Sequence, residues 1–369
     1  MPIRVYFVAV ALAIMIGGSF GGPQTQLKDL LLGQYDKENL PSYDSVNNVS
    51  FALTLQFITN VDLFGNSMEV SAYQQMSWDD SRLAWNPEDF NVSEVDIPVK
   101  KLWIPDIVVP NSLGSKDLIP DLNARVYYTG HVTIFPASIL KTTCVFDVSM
   151  YPYDMQKCTL IWLSWTQSTY TIRLSPLFDH VDVASYLPNP TWELVRAPVT
   201  VRQQLYECCP EEYEMLDCTI VIRRRNASAL VGPAVINVWL IVAVFLMTPA
   251  AYGKRIVFAG LVFVALVVQA MALSGEVPAY MTTRLGRYLL AGMVLSAIII
   301  VINALLFACN ASTSSPASRS HVREHLVLQE KDETPASDDR RRRTCLFVDI
   351  GLLVVTMLLL AVITAALFI

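Results

Sequence analysis

The chain has 369 residues, a formal net charge of −6 and only 16% charged residues, and its mean hydropathy is positive. It is long enough for two domains of ordinary size, and too apolar on average for a protein that lies wholly in water. There is no basic patch interleaved with aromatics, which argues against a nucleic-acid partner. No metal-spaced cluster, nucleophile motif or phosphate loop supports an enzyme or a bound cofactor.

The chain opens on Arg4, an apolar run Val5–Ile16 and the small-residue stretch GGSFGG. This pattern predicts a signal peptide over residues 1–21, since the run falls short of the ~20 residues a membrane span needs. The mature start then faces an oxidising compartment, where disulfides persist. Helical spacing in Leu27–Gln34 predicts a short leading helix. Next come FALTLQFITNVDLF, NSMEVSAYQQMSW, ARVYYTGHVTIFP and CTLIWLSWT. They are rich in Val, Ile, Thr and aromatics, show alternation, and are separated by Gly, Pro, Asn and Asp. Residues 22–227 therefore read as an all-β, immunoglobulin-like two-sheet sandwich of about ten strands. Within it, NVS at Asn48 and at Asn91 are glycosylation sequons.

Four apolar runs follow, Leu230–Thr248, Ile256–Leu273, Tyr288–Cys309 and Leu346–Ile369. Each is near bilayer length. They predict an all-α four-helix transmembrane bundle, with three helices in 228–309 and the fourth in 345–369. The basic clusters AYGKR (Ala251–Arg255) and DDRRRR (Asp338–Arg343) place those loops in the cytoplasm and both chain ends outside, in the plasma membrane. Residues 310–344 are polar and Ser/Pro-rich, a cytoplasmic linker with a helical stretch at HVREHLVLQEK.

One stretch is unusual. CVFDVSMYPYDMQKC, Cys144 to Cys158, holds thirteen residues between two cysteines and the tetrad YPYD inside them. Together with the signal peptide, the β-rich domain and four spans, it resembles the Cys-loop receptors, the pentameric ligand-gated ion channels. WIPDIVVPN (Trp103–Asn111) is similar to that family's Trp-x-Pro-Asp signature. SWT with Trp165 resembles its binding-site tryptophan segment, and YECCPEEY (Tyr206–Tyr213) the vicinal-cysteine loop of α-type nicotinic acetylcholine receptor subunits. YLPNPTWELV and the IRRR before the first span fit as well. The resemblance covers nearly the whole chain apart from the linker.

The resemblance implies a disulfide Cys144–Cys158 closing a stiff loop at the end of the sandwich that faces the membrane. A ring of that size stabilises by about 3 kcal/mol in the chain-entropy account. It also implies that Asp154 meets Arg224, with Asp62 as a second partner and Pro278 in the same coupling zone. The alternative for Asp154 is a turn residue that caps its own backbone. Cys208 and Cys209 are read as a vicinal disulfide; pairing of either with Cys218 is the alternative. The implied ligand site takes Trp165, Tyr206, Cys208, Cys209 and Tyr213 from one subunit and Tyr73, Arg125 and Phe135 from its neighbour. Rings in a box attract an ammonium ion, and Glu207, Glu211, Glu212 and Glu214 add negative potential. Two departures stand out: Pro110 replaces a family tyrosine, and Arg125 would repel a small cation. The bland reading of these aromatics is strand core.

The resemblance further places Lys254, Val257, Leu261, Val264, Val268, Met271 and Gly275 on the pore. That lining is apolar from Val257 to Met271, and rings of such residues gate by dewetting. Nearly every face of the second run is apolar, so periodicity alone leaves open whether this stripe meets a neighbouring helix instead. The expected assembly is five subunits, in a homomer or a heteromer, around permeating ions and in a lipid bilayer, opened by a small cationic agonist. The alternative is a ligand-binding accessory subunit that does not conduct alone.

Overall fold

The computed structural model describes residues 22–248, 251–313 and 335–368. The signal segment, Pro249 and the linker stretch at His321–Lys331 lie outside the described residues. The chain divides into two compact units. One runs to Phe146 and resumes over Gln156–Ile222; the other combines Asp147–Met155 with Arg223–Ile369.

The first unit begins with helix α1 (Pro23–Leu32), which carries proline in its first turn and buries Leu27 and Leu31, one helical turn apart. A short helix α2 (Pro87–Phe90) is the only other α-helix among the described residues of this unit. Among the described residues thirteen strands appear, where the sequence predicts about ten. In chain order they are β1 (Asn47–Asp62), β2 (Ser67–Asp79), β3 (Glu94–Pro98), β4 (Ile107–Val108), β5 (Ser112–Asp117), β6 (Asn123–Tyr127) and β7 (His131–Ile134). There follow β8 (Ala137–Thr143), β9 (Met155–Ser164), β10 (Ile172–Pro176), β11 (Trp192–Arg196), β12 (Val199–Leu205) and β13 (Glu212–Arg224). Short pieces such as the two-residue β4 account for the larger count.

The strands form two sheets. One has eight strands along the path β10-β1-β2-β7-β6-β3, with β8 against β2 and β5 against β8; the other has five, β11-β13-β9-β4 with β12 against β13. The long hairpin β1–β2 turns through Asn66, which takes the left-handed conformation that asparagine tolerates (φ 48°). Alternation along β2 sends Met68, Val70, Ala72 and Met76 inward. Between the sheets lies one core. In it Phe51 of β1 meets Trp162 of β9 with ring centroids 4.7 Å apart, and Trp78 meets Trp103 edge-on at 5.9 Å. A buried carboxylate, Asp80, holds the surrounding loops. It accepts from the Tyr35 hydroxyl at 2.7 Å and pairs with Arg82 at 2.7 Å. Burial pushes the Tyr35 phenol pKa up.

The second unit is helical. Helix α3 (Ala227–Trp239) contains Pro233 and continues as a 3-10 segment, Leu240–Leu246. Helices α4 (Tyr252–Glu276), α5 (Arg284–Thr313) and α6 (Pro335–Phe368) follow. Among the described residues four segments are long and apolar enough to cross a membrane: Ala227–Leu246, Tyr252–Glu276, Arg284–Ala308 and Leu346–Phe368. Only 17% to 33% of the most apolar stretch of each is buried inside the chain. An ion pair stands among them. Arg255, 1% exposed, donates to both Asp349 carboxylate oxygens at 2.8 and 3.0 Å and to the Met247 carbonyl at 2.6 Å. It ties the start of α4 to α6. Small residues make such approaches close: a Cβ on Gly292 would lie 2.7 Å from Val238.

Removing one member of a buried pair strands the other charge, at a cost of about 3–5 kcal/mol. Asp349→Ala should therefore lower the melting temperature of the detergent-solubilised protein sharply. The double change Asp349→Leu with Arg255→Leu should recover most of the loss. A single variant that melts like the parent would show the pair to be energetically idle.

Candidate functional site

The Trp165 segment is built by the end of β9 and by the acid of the WIPD motif. Asp106 accepts from the Ser164 hydroxyl, from the Thr166 amide at 2.7 Å and from the Thr166 hydroxyl at 2.6 Å. The Trp165 amide also donates to the Asp106 carbonyl at 3.1 Å. A single carboxylate thus fixes both neighbours of Trp165, whose own ring is left 64% exposed. A tryptophan so placed serves no core.

Beside it, β12 and β13 form a hairpin with Leu205 opposite Glu212 and Gln204 opposite Tyr213. The tip, residues 206–211, carries the bonded pair Cys208–Cys209, whose Cα atoms are 3.8 Å apart. The Tyr206 and Tyr213 rings meet edge-to-face at 5.6 Å, a geometry the ring quadrupole favours. The Thr169 amide donates to the Glu212 carbonyl at 3.0 Å and so ties the Trp165 segment to the hairpin. Cys218 is free and fully buried, and burial pushes its thiol pKa up to about 12. Of the flap acids, Glu214 is engaged, accepting from the Leu174 amide at 3.0 Å. Pro110 is exposed at the end of the WIPD segment.

The other group of residues lies on the eight-stranded sheet. Tyr73 sits on β2 opposite Thr54 and Ala137, and its ring is partly exposed. Phe135 follows β7 and is half exposed. Arg125 on β6 is not the bare cation that the sequence suggests. Asp96, its register partner on β3, accepts at 3.1 Å, and Glu94 lies at 3.7 Å. The hydrogen bond to Asp96 raises the guanidinium pKa, and two carboxylates beside one guanidinium leave the patch with no net positive charge. Repulsion of a small cation by Arg125 is corrected on that ground. The two groups thus lie on different sheets of one chain.

The disulfide Cys144–Cys158 has its Cα atoms 5.0 Å apart, and both cysteines are buried in the first unit. The tip of the ring, Asp147–Met155, clusters with the helices instead. There Arg224 donates to Asp154 through Nε at 2.8 Å and Nη2 at 3.3 Å, with side chains 11% and 0% exposed. The Arg224 guanidinium also lies 4.7 Å from the Tyr151 ring centroid. The Tyr151 hydroxyl donates to Glu276 at 3.3 Å, and burial pushes that phenol up to about 12. The ring's backbone caps α5: the Ser149 carbonyl accepts from the Arg284 amide at 3.0 Å, and the Tyr151 carbonyl from Leu285 at 3.3 Å. These are two of the amides a helix start leaves unpaired.

Sequence reasoning missed Tyr151, Glu276 and the α5 start. The available signal was an aromatic beside an acid in YPYD, inside a ring poised over a basic strand end. Asp62 accepts from the Phe64 and Gly65 amides at 3.1 and 2.8 Å, so it caps its own turn. Pro278 is half-buried between α4 and the 3-10 turn Tyr280–Thr282.

Helix α4 shows two distinct faces. Ala259, Val262, Leu266, Ala270 and Leu273 are buried against the other helices. Val257, Leu261, Val264, Val268 and Met271 are 57–68% exposed, and Lys254 and Gly275 are exposed on the same side. The rotation that periodicity left open is thereby fixed within the chain: the stripe turns away from its own bundle. Asn48 and Asn91 are both exposed, the latter at the left-handed C-cap of α2.

Residues 24–226 match the family model described as the neurotransmitter-gated ion-channel ligand binding domain. The human neuronal acetylcholine receptor subunit alpha-2 is 29% identical over 324 residues, covering 85% of this chain and 60% of that protein. The Caenorhabditis elegans acetylcholine receptor subunit alpha-type acr-15 is 32% identical over 264 residues, covering 69% of this chain and 53% of its own length. For the chicken alpha-4 subunit the figures are 29% identity, 80% and 48%. The chain thus spans about half to three-fifths of the length of these relatives.

The ring tip generates a direct test. Asp154→Asn and Arg224→Gln should each destabilise by about 3 kcal/mol, as expected for a buried pair broken on one side. The double variant should be no worse than either single. Strictly additive losses in melting or surface yield would show that the two side chains act independently.

Proposed function

The chain belongs to the neurotransmitter-gated ion-channel family, and from that premise we propose that it is a subunit of a ring of five that opens a membrane pore when a small molecule binds between adjacent subunits. One observation carries this reading. Trp165 and Tyr206 are exposed at one sheet, with Tyr213 half-buried against Tyr206, while Tyr73 and Phe135 are exposed at the other. Each chain thus offers two unlike half-sites, and two copies are needed to close one. An interface that joins unlike patches is head-to-tail, and head-to-tail contacts close into a ring when the rotation between neighbours closes.

The agonist proposed is a small organic cation. Exposed ring faces attract an ammonium group, with about 2 kcal/mol or more gained once it is desolvated. Neutralisation of Arg125 by Asp96 and Glu94 supports this choice. Pro110 leaves one wall without an aromatic, so the cage is less complete than in relatives that carry tyrosine there. Closure of the Cys208–Cys209 hairpin over the ligand would pull on β13, which ends at Arg224. In this reading Arg224 passes the displacement to Asp154 and Tyr151, and the ring tip passes it to the ends of α4 and α5. The N-terminal unit is extracellular, the basic start of α4 cytoplasmic, and Asn48 and Asn91 carry glycans.

A second reading rests on the α4 stripe. Five copies of Val257, Leu261, Val264, Val268 and Met271 would line a pore without one polar side chain, and Lys254 would make its inner mouth basic. Such a lumen expels water, and charge at its mouth acts over a Debye length of about 8 Å. The chain would then bind agonist and leave conduction to partner subunits.

Three measurements decide. Native mass measurement in mild detergent should give five chains per particle, and Trp165→Ala should weaken agonist binding at least about tenfold at unchanged surface level. Full affinity in that variant would remove Trp165 from the site. On the second reading, cells expressing the chain alone pass little cation current, and Val264→Thr with Lys254→Glu raises it. Large agonist-evoked cation currents from the parent chain would discard the second reading.

A further inference from the structure

A cleft of about 450 Å³ opens between α1 and α2 in the first unit, within the ~300–1,000 Å³ of small-molecule sites. Leu30, Gln34 and Tyr35 line it from α1 and the chain that follows; Trp85, Asp89 and Phe90 line it from α2 and the residues before. Its strongest donors are already engaged. Every side-chain nitrogen of Arg82, which also lines the cleft, donates within the chain: to Asp80, to the Tyr35 hydroxyl and to the Asp36 and Asn39 carbonyls. Trp85 donates through Nε1 to the Val92 carbonyl at 2.8 Å. What remains for a guest is the half-buried rings of Tyr35, Trp85 and Phe90, the exposed Leu30, and hydrogen-bonding groups on the exposed Gln34 and Asp89. An anion finds no open cation here. A guest with an apolar face and a hydroxylated edge matches both kinds of wall.

The attachment point for such a guest adjoins the cleft. Asn91 directly follows Phe90 and opens the sequon Asn91-Val92-Ser93, and adjacent Cα atoms are only ~3.8 Å apart. Asn91 is exposed and takes the left-handed conformation that ends α2 (φ 51°). The sequon is held in place on both sides. The Trp85 indole that walls the cleft also fixes the Val92 carbonyl, and the Ser93 carbonyl accepts from the Tyr128 amide at 3.0 Å. A sugar on Asn91 therefore starts from a fixed position beside the rings.

We propose that the cleft between α1 and α2 is the docking site of the chain's own Asn91 glycan, and that its first N-acetylglucosamine lies against Trp85, Phe90 and Leu30. The inference rests on the glycosylation of Asn91 proposed above. The C–H face of a pyranose carries slight positive charge and meets the negative faces of the rings. Its hydroxyl and acetamido groups reach Gln34 and Asp89. Such a contact is weak for a free sugar, but a short tether supplies the sugar at an effective concentration in the mM range. Docked there, the sugar joins α1 to α2. The leading helix, otherwise seated through Leu27 and Leu31, gains a second attachment at its C-terminal end.

The test uses the full chain, expressed in cells that make only high-mannose glycans and purified in mild detergent. Amide hydrogen exchange is followed by mass spectrometry in peptides covering Pro23–Tyr35 and Ser81–Phe90. Ser93→Ala removes the sequon and leaves Asn91 in place, and it should speed exchange in both peptides about threefold or more. That is the factor expected when the effective concentration exceeds the dissociation constant a few times. An amidase that strips whole glycans from the folded parent should do the same, which covers the case that Ser93→Ala folds poorly. An endoglycosidase that leaves one N-acetylglucosamine should leave exchange as slow as in the parent. In Leu30→Ala, which opens the wall at an exposed helical position, stripping the glycan should change exchange little. Equal exchange with and without the sugar would overturn the proposal, as would protection that the endoglycosidase abolishes or that Leu30→Ala leaves intact. A bare Asn91 in glycopeptide mapping would also overturn it, while sugar on Asn48 in the same map would leave the extracellular placement of the unit standing.

Discussion

The ion pair between Asp154 and Arg224 governs how the helical unit is finished at the end where α4 stops and α5 starts. Both side chains are nearly or fully out of contact with water. Charges so placed persist only when paired and hydrogen-bonded, so neither residue can move without the other. Around the pair, the Arg224 guanidinium covers the Tyr151 ring, Tyr151 reaches Glu276, and the ring's carbonyls cap α5. The disulfide sets the length of the loop that makes these contacts possible. A longer, open loop would have to be ordered at a further entropic cost before it could cap anything.

The rest of the molecule is defined by surfaces that one chain cannot cover. Four apolar segments bury a third or less of their most apolar stretches. Aromatic rings at the hairpin and on β2 stand in solvent without a role in the core. A soluble monomer rarely leaves so much apolar surface uncovered. Lipid answers for the outer helix faces, and in the proposed ring neighbouring subunits would cover the α4 stripe and the two half-sites. The Arg255–Asp349 pair has the opposite character, since it is completed within the chain and fixes α6 before any partner arrives.

Much of this was legible beforehand, for reasons that can be named. Alternation and turn residues carry the strands, and run length with basic flanks carries the spans, because both follow from local chemistry. The Trp165 segment was legible through motif resemblance, yet its fixing by Asp106 was not, since that bond joins residues 60 positions apart. Arg125 shows the same limit. Its charge is visible in the sequence, but Asp96 lies 29 positions away and meets it only through the β3–β6 register. The rotation of α4 was illegible because nearly every face of it is apolar, and only packing against α3 and α5 distinguishes them.

The outward stripe of α4 has a genetic corollary. In a closed ring of identical chains one codon specifies every copy of Val264 at once. A change worth a few tenths of a kcal/mol per side chain is then multiplied by the number of subunits. In the proposed ring, symmetry would repeat any change in this stripe around the whole pore, and mixing in a second chain type would dilute it in discrete steps.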